Sequence, residues 1–282
     1  MNGKSGIWQR VSGNLYQAAE AFLREREFIC VGACSRFLPG KSSHDHCWVL
    51  LDKDEVTAFL LQSRHSLHPV FSGNREIQLP KFFGSLLQKV PIHSVQGICE
   101  DTELLDYSMK MHGYKIMDRI DYDLMTLDSR PDPECFTEGP PDLILRKPAD
   151  IDRERLFELQ SAYEQEEVVP MGGNFSPESC RKTLEKLLKT EQMLVACLDG
   201  KIVGKINTNA KSYTRYQIGG VYVCPEFRGR GIAVKMSAVF LNDLIDEGRG
   251  ISLYVKKRNS AARAVYSRLG FIRRGDYRIS YY

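Results

Sequence analysis

At 282 residues the chain is long enough for two domains, each with its own core. Hydrophobic content of 43% and charged content of 27% are ordinary for a globular protein, and a net charge of +3 is too small to point to nucleic acid. No apolar run approaches the roughly 20 residues of a membrane span, and no signal-peptide core follows Met1-Asn2-Gly3-Lys4-Ser5-Gly6, so the expected location is cytoplasmic.

In the first half, residues 14–27 read as an amphipathic helix, with Asn14 at the cap and Leu15, Ala18, Ala19, Phe22 and Leu23 on one face. Phe28-Ile29-Cys30-Val31 reads as a strand. Trp48–Leu51, the turn Asp52-Lys53-Asp54 and Val56–Leu61 read as a hairpin. Residues 79–90 carry a helical stripe of Phe82, Phe83, Leu86 and Leu87, and 92–98 supply a strand. Asp101-Thr102-Glu103 has the chemistry of a helix start, that helix ends near Gly113, and Tyr122–Met125 closes the half as a strand. Eight cysteines without a Cys-x-x-Cys pair do not suggest a disulfide scaffold. Cys30, Cys34, His44, His46 and Cys47 hold soft ligands at short spacing, but the cysteines lie in apolar runs, where a free thiol acts as a small hydrophobe. No metal is expected.

Residues 127–142 hold four prolines and a glycine, so no regular element is expected there and a linker is placed at 129–142. Beyond it, Leu143–Pro148 reads as a strand and Ala149–Asp152 leads into a helix bearing Leu156, Leu159, Ala162 and Tyr163. An acidic run, Glu164-Gln165-Glu166-Glu167, ends that helix. Ser176-Pro177-Glu178 starts the next, with Ser at the cap and Pro at the first helical position. Met193–Leu198, Asp199-Gly200 and Ile202–Thr208 make a hairpin. The strand Tyr216–Val223 contains Gly219-Gly220, which suggests a bulge or a close approach of ligand to backbone.

The chain is organised around the next stretch. An apolar strand ends at Cys224-Pro225, a basic glycine-rich turn follows at Arg228-Gly229-Arg230-Gly231, and a helical pattern begins at Ile232-Ala233. Such a turn lets successive amides face one concavity, and the helix N-terminus adds partial positive charge, a combination suited to a diphosphate. Residues 232–247 form a helix with Gly248 as its stop, and Ile251–Val255 reads as a strand parallel to the one at Tyr216. Asn259 then caps a last helix that Gly270 ends.

The spacing Arg228-x-x-Gly231-x-Ala233 resembles the acyl-CoA signature of the GNAT N-acyltransferase superfamily. Asn259, Ala262, Tyr266, Gly270 and Phe271 resemble that superfamily's second signature, about thirty residues on, and the likeness covers residues 143–282. The first half, with a similar order of elements but no Arg-x-x-Gly-x-Gly/Ala, resembles a degenerate copy (residues 1–128) that binds no CoA and shapes the acceptor side. The resemblance implies an α/β fold: a mixed, mostly antiparallel sheet with a central parallel pair, flanked by helices, in two tandem GNAT-like domains. It also implies an acetyl-CoA-dependent N-acetyltransferase.

Val221, Tyr222 and Val223 would hold the acyl carbonyl and pantetheine through their backbone. Arg228, Gly229, Arg230, Gly231, Ile232 and Ala233 would hold the diphosphate, Asn259 and Ala262 the pantetheine arm, and Tyr266 would protonate the thiolate. Many relatives carry a glutamate base on the strand where this chain has Gln217. Glu164, Glu166 or Glu167 is then the acidic group available at the acceptor side, and Glu167 is taken as the catalytic carboxylate. The acceptor is a small-molecule or peptide amine, with neither nucleic acid nor membrane as a partner, and a homodimer among the arrangements left open. A non-catalytic acyl-CoA-binding module is the competing reading, prompted by Gln217 and the degenerate first half.

Overall fold

The computed structural model describes residues 6–40, 45–73, 77, 79 and 83–282. The chain divides into two compact units, Met1–Tyr122 with Gly275–Tyr282, and Asp123–Arg274. The same order of elements runs twice along it. The first pass is β1 (Ile7–Arg10), α1 (Leu15–Glu25), α2 (Val31–Phe37), β2 (Asp45–Asp52), β3 (Glu55–Ser63), β4 (Ser66–Phe71), α3 (Phe83–Lys89), β5 (Ser94–Ile98), α4 (Cys99–Met111) and β6 (Asp118–Leu127). The second is β7 (Ile144–Arg146), α5 (Arg153–Tyr163), α6 (Pro177–Thr190), β8 (Met193–Leu198), β9 (Lys201–Lys211), β10 (Arg215–Val223), α7 (Ile232–Asp246), β11 (Gly250–Lys256), α8 (Ser260–Arg268) and β12 (Ile272–Tyr281).

In the first unit the strand order is β1-β2-β3-β4-β5, followed by the 275–281 part of β12, antiparallel to β5. All neighbours from β1 to β4 are antiparallel, and β4 and β5 are parallel. The β2–β3 turn uses Lys53 and Asp54 at φ 49° and 69°, the twist that closes a two-residue hairpin. Phe28–Val31 is not a strand. Glu27–Ile29 is a 3-10 turn and Val31 opens α2, because Val31, Cys34 and Phe37 recur at helical spacing and are buried together. Helix α4 starts two residues before Asp101, whose buried carboxylate accepts from the Phe71 amide at 2.9 Å instead of capping. Asn14 precedes α1 without a side-chain cap bond. Phe82 and His44 lie outside the described residues, and Cys30 and Cys34 are buried with their sulfurs 3.5 Å apart.

The proline-rich stretch does contain one regular turn, Pro133–Phe136, capped by Asp132 and anchored by the buried Cys135. In the second unit the order is β7-β8-β9-β10-β11, followed by the 123–127 part of β6. Strands β7 to β10 are antiparallel, and β10 and β11 run parallel from Arg215↔Gly250 to Ile218↔Leu253. Alternate residues of β8 go to opposite faces. Leu194, Ala196 and Leu198 pack with Met236, Phe240 and Leu244 of α7, while Met193, Val195 and Cys197 pack with Leu156 and Leu159 of α5 and Leu184 and Leu187 of α6. The sheet is thus covered by helices on both faces, and the registered β10–β11 pairing ends at Ile218↔Leu253, short of either strand's end.

Candidate active site

Three elements converge past the point where β10 and β11 cease to pair. The first is β10 itself. Its register against β9 shifts between Gly219 and Tyr222, so β10 carries an extra residue there: a bulge. Gly220 sits at φ +62°, and a Cβ on it would overlap the Asn207 side chain and reach the Lys205 ammonium. A Cβ on Gly219 would overlap Asn209. The glycine pair is therefore demanded by a polar ladder on β9: Lys205, Asn207 and Asn209, alternate residues on one face.

The second element is the turn into α7. Pro225–Phe227 make a 3-10 turn, Gly229 and Gly231 stand at φ +74° and +76°, and Gly231 directly precedes Ile232. The first helical bond is Lys235 N–H to Gly231 C=O, so the amides of Ile232, Ala233 and Val234 lie outside the helical ladder. No acidic residue occupies the first turn. Gly229 has open space around its Cβ position, whereas at Gly231 the Gly139 amide and the Glu138 carboxylate crowd in at 2.7 and 2.8 Å. Arg228 donates from Nε to the Val223 carbonyl at 3.0 Å, tying the turn back to the strand, and Arg230 donates to the Glu226 carbonyl at 3.1 Å. Tyr222 is buried under the Arg228 guanidinium.

The third element is α8. Asn259 caps it, its Oδ1 accepting from the Ala262 amide at 2.9 Å. Gly270 at φ +90° ends it, and the Phe271 amide reaches back to the Tyr266 carbonyl, a left-handed C-terminal stop. Tyr266 is buried edge-on to Phe271, 5.5 Å between ring centres.

A π-helical turn, Glu164–Val168, extends α5 toward these groups. Such turns are rare and frequent at functional sites. Glu166 grips both Nη atoms of Arg228, at 3.0 and 2.8 Å. Glu167 accepts from Asn259 Nδ2 at 2.9 Å and lies 3.2 Å from the buried ammonium of Lys256. Tyr163, at the end of α5, is pushed up to about 12 by burial, with the Gly220 amide opposing and Glu167 and Glu164 adding to the rise. Burial, then Tyr163 and Glu167, raise Tyr266 as well, so both phenols hold their protons at neutral pH. Lys205 is fully buried, donates to Asn207 Oδ1 at 3.0 Å and to the Gly220 carbonyl at 3.1 Å, and lies 5.0 Å from the Tyr163 ring centre. Burial pulls it down to about 7, against the upward pull of Glu164 and Cys180.

The structure brings Val221–Ala233, Asn259, Ala262, Tyr266 and Glu167 into one region of the second unit. Sequence reasoning did not single out Lys205 or Tyr163 for the site. The signal for Lys205 was a polar alternation, 205-207-209, inside an otherwise apolar strand; it looks like a wet face, but Lys205 and Asn207 are buried and only Asn209 is exposed. The residues present fit a nucleotide thioester. The left-handed Gly229 and Gly231 and an acid-free helix start leave unpaired amides of the kind a diphosphate accepts from, beside a bulged strand.

Residues 153–271 match the model of the acetyltransferase (GNAT) family. This stretch is a GNAT domain. The fold of the whole chain agrees. A Drosophila protein of solved structure is similar over 98% of this chain and 99% of its own, with a TM-score of 0.66 and 11% identity. A GCN5-related N-acetyltransferase from Sphaerobacter thermophilus is similar over 99% and 96%, with a TM-score of 0.58 and 20% identity. A tandem GNAT protein of the clavulanic acid biosynthesis pathway is similar over 98% of each chain, with a TM-score of 0.59 and 12% identity. At these identities the likeness is one of fold, and it runs over both units of the chain. No curated protein matches the sequence. Among the described residues no group of three or more His, Cys, Asp or Glu is placed to hold a metal, and no helix is long and apolar enough to cross a membrane.

Proposed function

We propose that the GNAT domain transfers an acetyl group from acetyl-CoA to a primary amine of a small molecule or peptide. The observation that supports this is the junction of the bulged β10 with the left-handed turn at Gly229 and Gly231, from which α7 starts with its first amides outside the helical ladder. Bound acetyl-CoA supplies an activated thioester. Ile232 and Ala233 amides, with Arg228 and Arg230, hold its diphosphate by charge-assisted donation. Asn259 and Ala262 flank the pantetheine arm.

The amine nitrogen attacks the thioester carbon, a C–N bond forms, and the C–S bond breaks to a thiolate. Backbone donors at Val221–Val223 stabilise the oxygen that becomes negative, and such donors are worth most where water is excluded. Tyr266, kept neutral by burial, holds a proton ready for the departing sulfur. Glu167 is the carboxylate that draws the cationic amine and receives its proton, once Asn259 and Lys256 share it with the acceptor. The first half, lacking the Arg-x-x-Gly-x-Gly/Ala signature, binds no CoA.

Thiol release from acetyl-CoA, screened against polyamines, amino acids, aminoglycosides and N-terminal peptides, tests this, with Tyr266→Phe and Arg228→Ala alongside. Release with one acceptor class, lost in Tyr266→Phe, supports transfer. A second reading, a non-catalytic acyl-CoA-binding module, is favoured by Gln217 and by the engagement of Glu166 and Glu167 with Arg228, Asn259 and Lys256. Tight CoA binding without thiol release would establish it.

A further inference from the structure

Lys205 is a buried cation-forming group that the mechanism above does not use. It sits on β9 opposite Tyr222, and its partners are specific. Two Nζ donors go to the Gly220 carbonyl and to Asn207, and the Tyr163 ring lies nearby. The Asn207 amide passes its own donors on, to the Thr208 carbonyl and to Asn209 Oδ1, both at 3.0 Å. Lys205 and Asn207 face the glycine bulge of β10 between Gly219 and Tyr222, one of two places where the β10–β9 register shifts. Gly220 cannot carry a side chain because the ladder fills that space.

A buried ammonium is costly unless its donors are met. A methionine or leucine at 205 would fill the same volume without that cost, so a packing role alone does not account for a lysine. The acceptors chosen are carbonyl oxygens and a π-face, all of which suit a positive charge. The groups that face it are Tyr163 at the end of α5, Glu164 in the π-turn, Cys180 on α6 and Tyr222 on β10.

We infer that Lys205 is a positioning residue for acyl transfer: through the Gly220 carbonyl it fixes the β10 bulge that aims the next backbone amides at the acyl oxygen, and it places a positive charge behind them. This rests on the acetyltransferase reading above. The charge opposes the negative charge that grows on that oxygen, and a fixed ammonium needs no reorganisation to do so. Because burial brings Lys205 down to about 7, its contribution falls as pH rises through neutrality.

The test uses the whole chain as wild type, Lys205→Met, Lys205→Arg and Glu164→Gln, with titration of acetyl-CoA and kcat for thiol release at saturating acceptor. The expected result for Lys205→Met is a kcat lower by about 10- to 100-fold near pH 6, less than the loss of a direct oxyanion donor, with acetyl-CoA affinity within about threefold. The ratio of wild-type to Lys205→Met kcat cancels the acceptor's own titration. It should fall toward one by pH 9, and Lys205→Arg, which stays charged, should outperform the wild type in relative terms there. Removing Glu164's negative charge should shift the wild-type profile to lower pH, and this variant decides the matter if Lys205→Met does not fold. A pH-independent ratio, a kcat for Lys205→Met within threefold of wild type, or an unmoved profile in Glu164→Gln overturns the inference. A wild type that neither binds CoA nor releases thiol overturns instead the reading on which it rests.

Discussion

The guanidinium of Arg228 and the carboxylate of Glu166 meet edge to edge, Nη1 to Oε1 at 3.0 Å and Nη2 to Oε2 at 2.8 Å. One partner belongs to the turn that would hold a diphosphate, the other to the acidic π-turn after α5. A phosphate bound at that turn would therefore compete with this carboxylate for one fork of donors. Both side chains are nearly half exposed, so the pair is worth at most about 1 kcal/mol. Glu166→Gln should tighten CoA binding by up to about fivefold, as that energy converts to affinity. Arg228→Ala should weaken it. Calorimetric titration of both variants checks this, and weaker binding in Glu166→Gln would show that the carboxylate assists the site.

Gly229 and Gly231 share a left-handed backbone but not their surroundings. An added methyl meets only open space at Gly229, whereas at Gly231 it meets the Gly139 amide and the Glu138 carboxylate. Gly229→Ala should cost about 1 kcal/mol of stability from backbone strain alone, and Gly231→Ala about 1–3 kcal/mol. Only the second should also displace the start of α7 and abolish CoA binding. Denaturant unfolding and titration separate the two effects, and equal losses at both positions would contradict the asymmetry.

What the sequence made legible here was local chemistry. Asp199 and Gly200 at φ 49° and 73° close the β8–β9 hairpin, Ser176 accepts from the Ser179 amide, and Asn259 caps α8, because each needs only its near neighbours. The left-handed glycine turn before α7 was legible for the same reason, and the parallel β10–β11 pair from the helix that crosses between the two strands. Strand β4 was not announced, since Pro69 removes a donor in its middle and reads as a breaker. Phe28–Val31 misled because a four-residue apolar run fits either period. Lys205 and Tyr163 were hidden because their role depends on which face α5 covers, and no window of sequence contains that. Nothing local marks Tyr122 or Arg274 as the place where β6 and β12 pass from one unit to the other.

Tyr266 packs against Phe271 through its ring, so removing only its hydroxyl should leave the packing in place. Tyr266→Phe should keep its melting temperature and CoA affinity within small margins while kcat falls by about 10²–10⁴-fold, the usual worth of a positioned acid. Since burial holds the phenol's proton well above neutrality, no loss of activity between pH 6 and 9 should trace to its ionisation. A Phe variant of undiminished kcat would remove Tyr266 from the chemistry.

Lys205 also predicts a stability signature. Its folded value, about 7, lies below the unfolded one, so between the two the unfolded chain binds the extra proton and stability rises with pH. Below about 7 both states are charged and the penalty is constant at its largest. Relative to Lys205→Met, the wild type should gain about 2 kcal/mol from pH 7 to pH 9, measured by urea unfolding. A flat difference would mean that the ammonium is hydrated in the folded protein.

The central claim is that the turn at Arg228–Gly231 and the start of α7 bind the diphosphate of a nucleotide thioester, and that the first half does not. Calorimetric titration of acetyl-CoA into the whole chain tests both parts at once. One site per chain is expected, with a Kd in the range of roughly 1 μM to 1 mM typical of enzyme substrates, abolished by Gly231→Ala. No heat at millimolar acetyl-CoA, or a second site that survives Gly231→Ala, would contradict it.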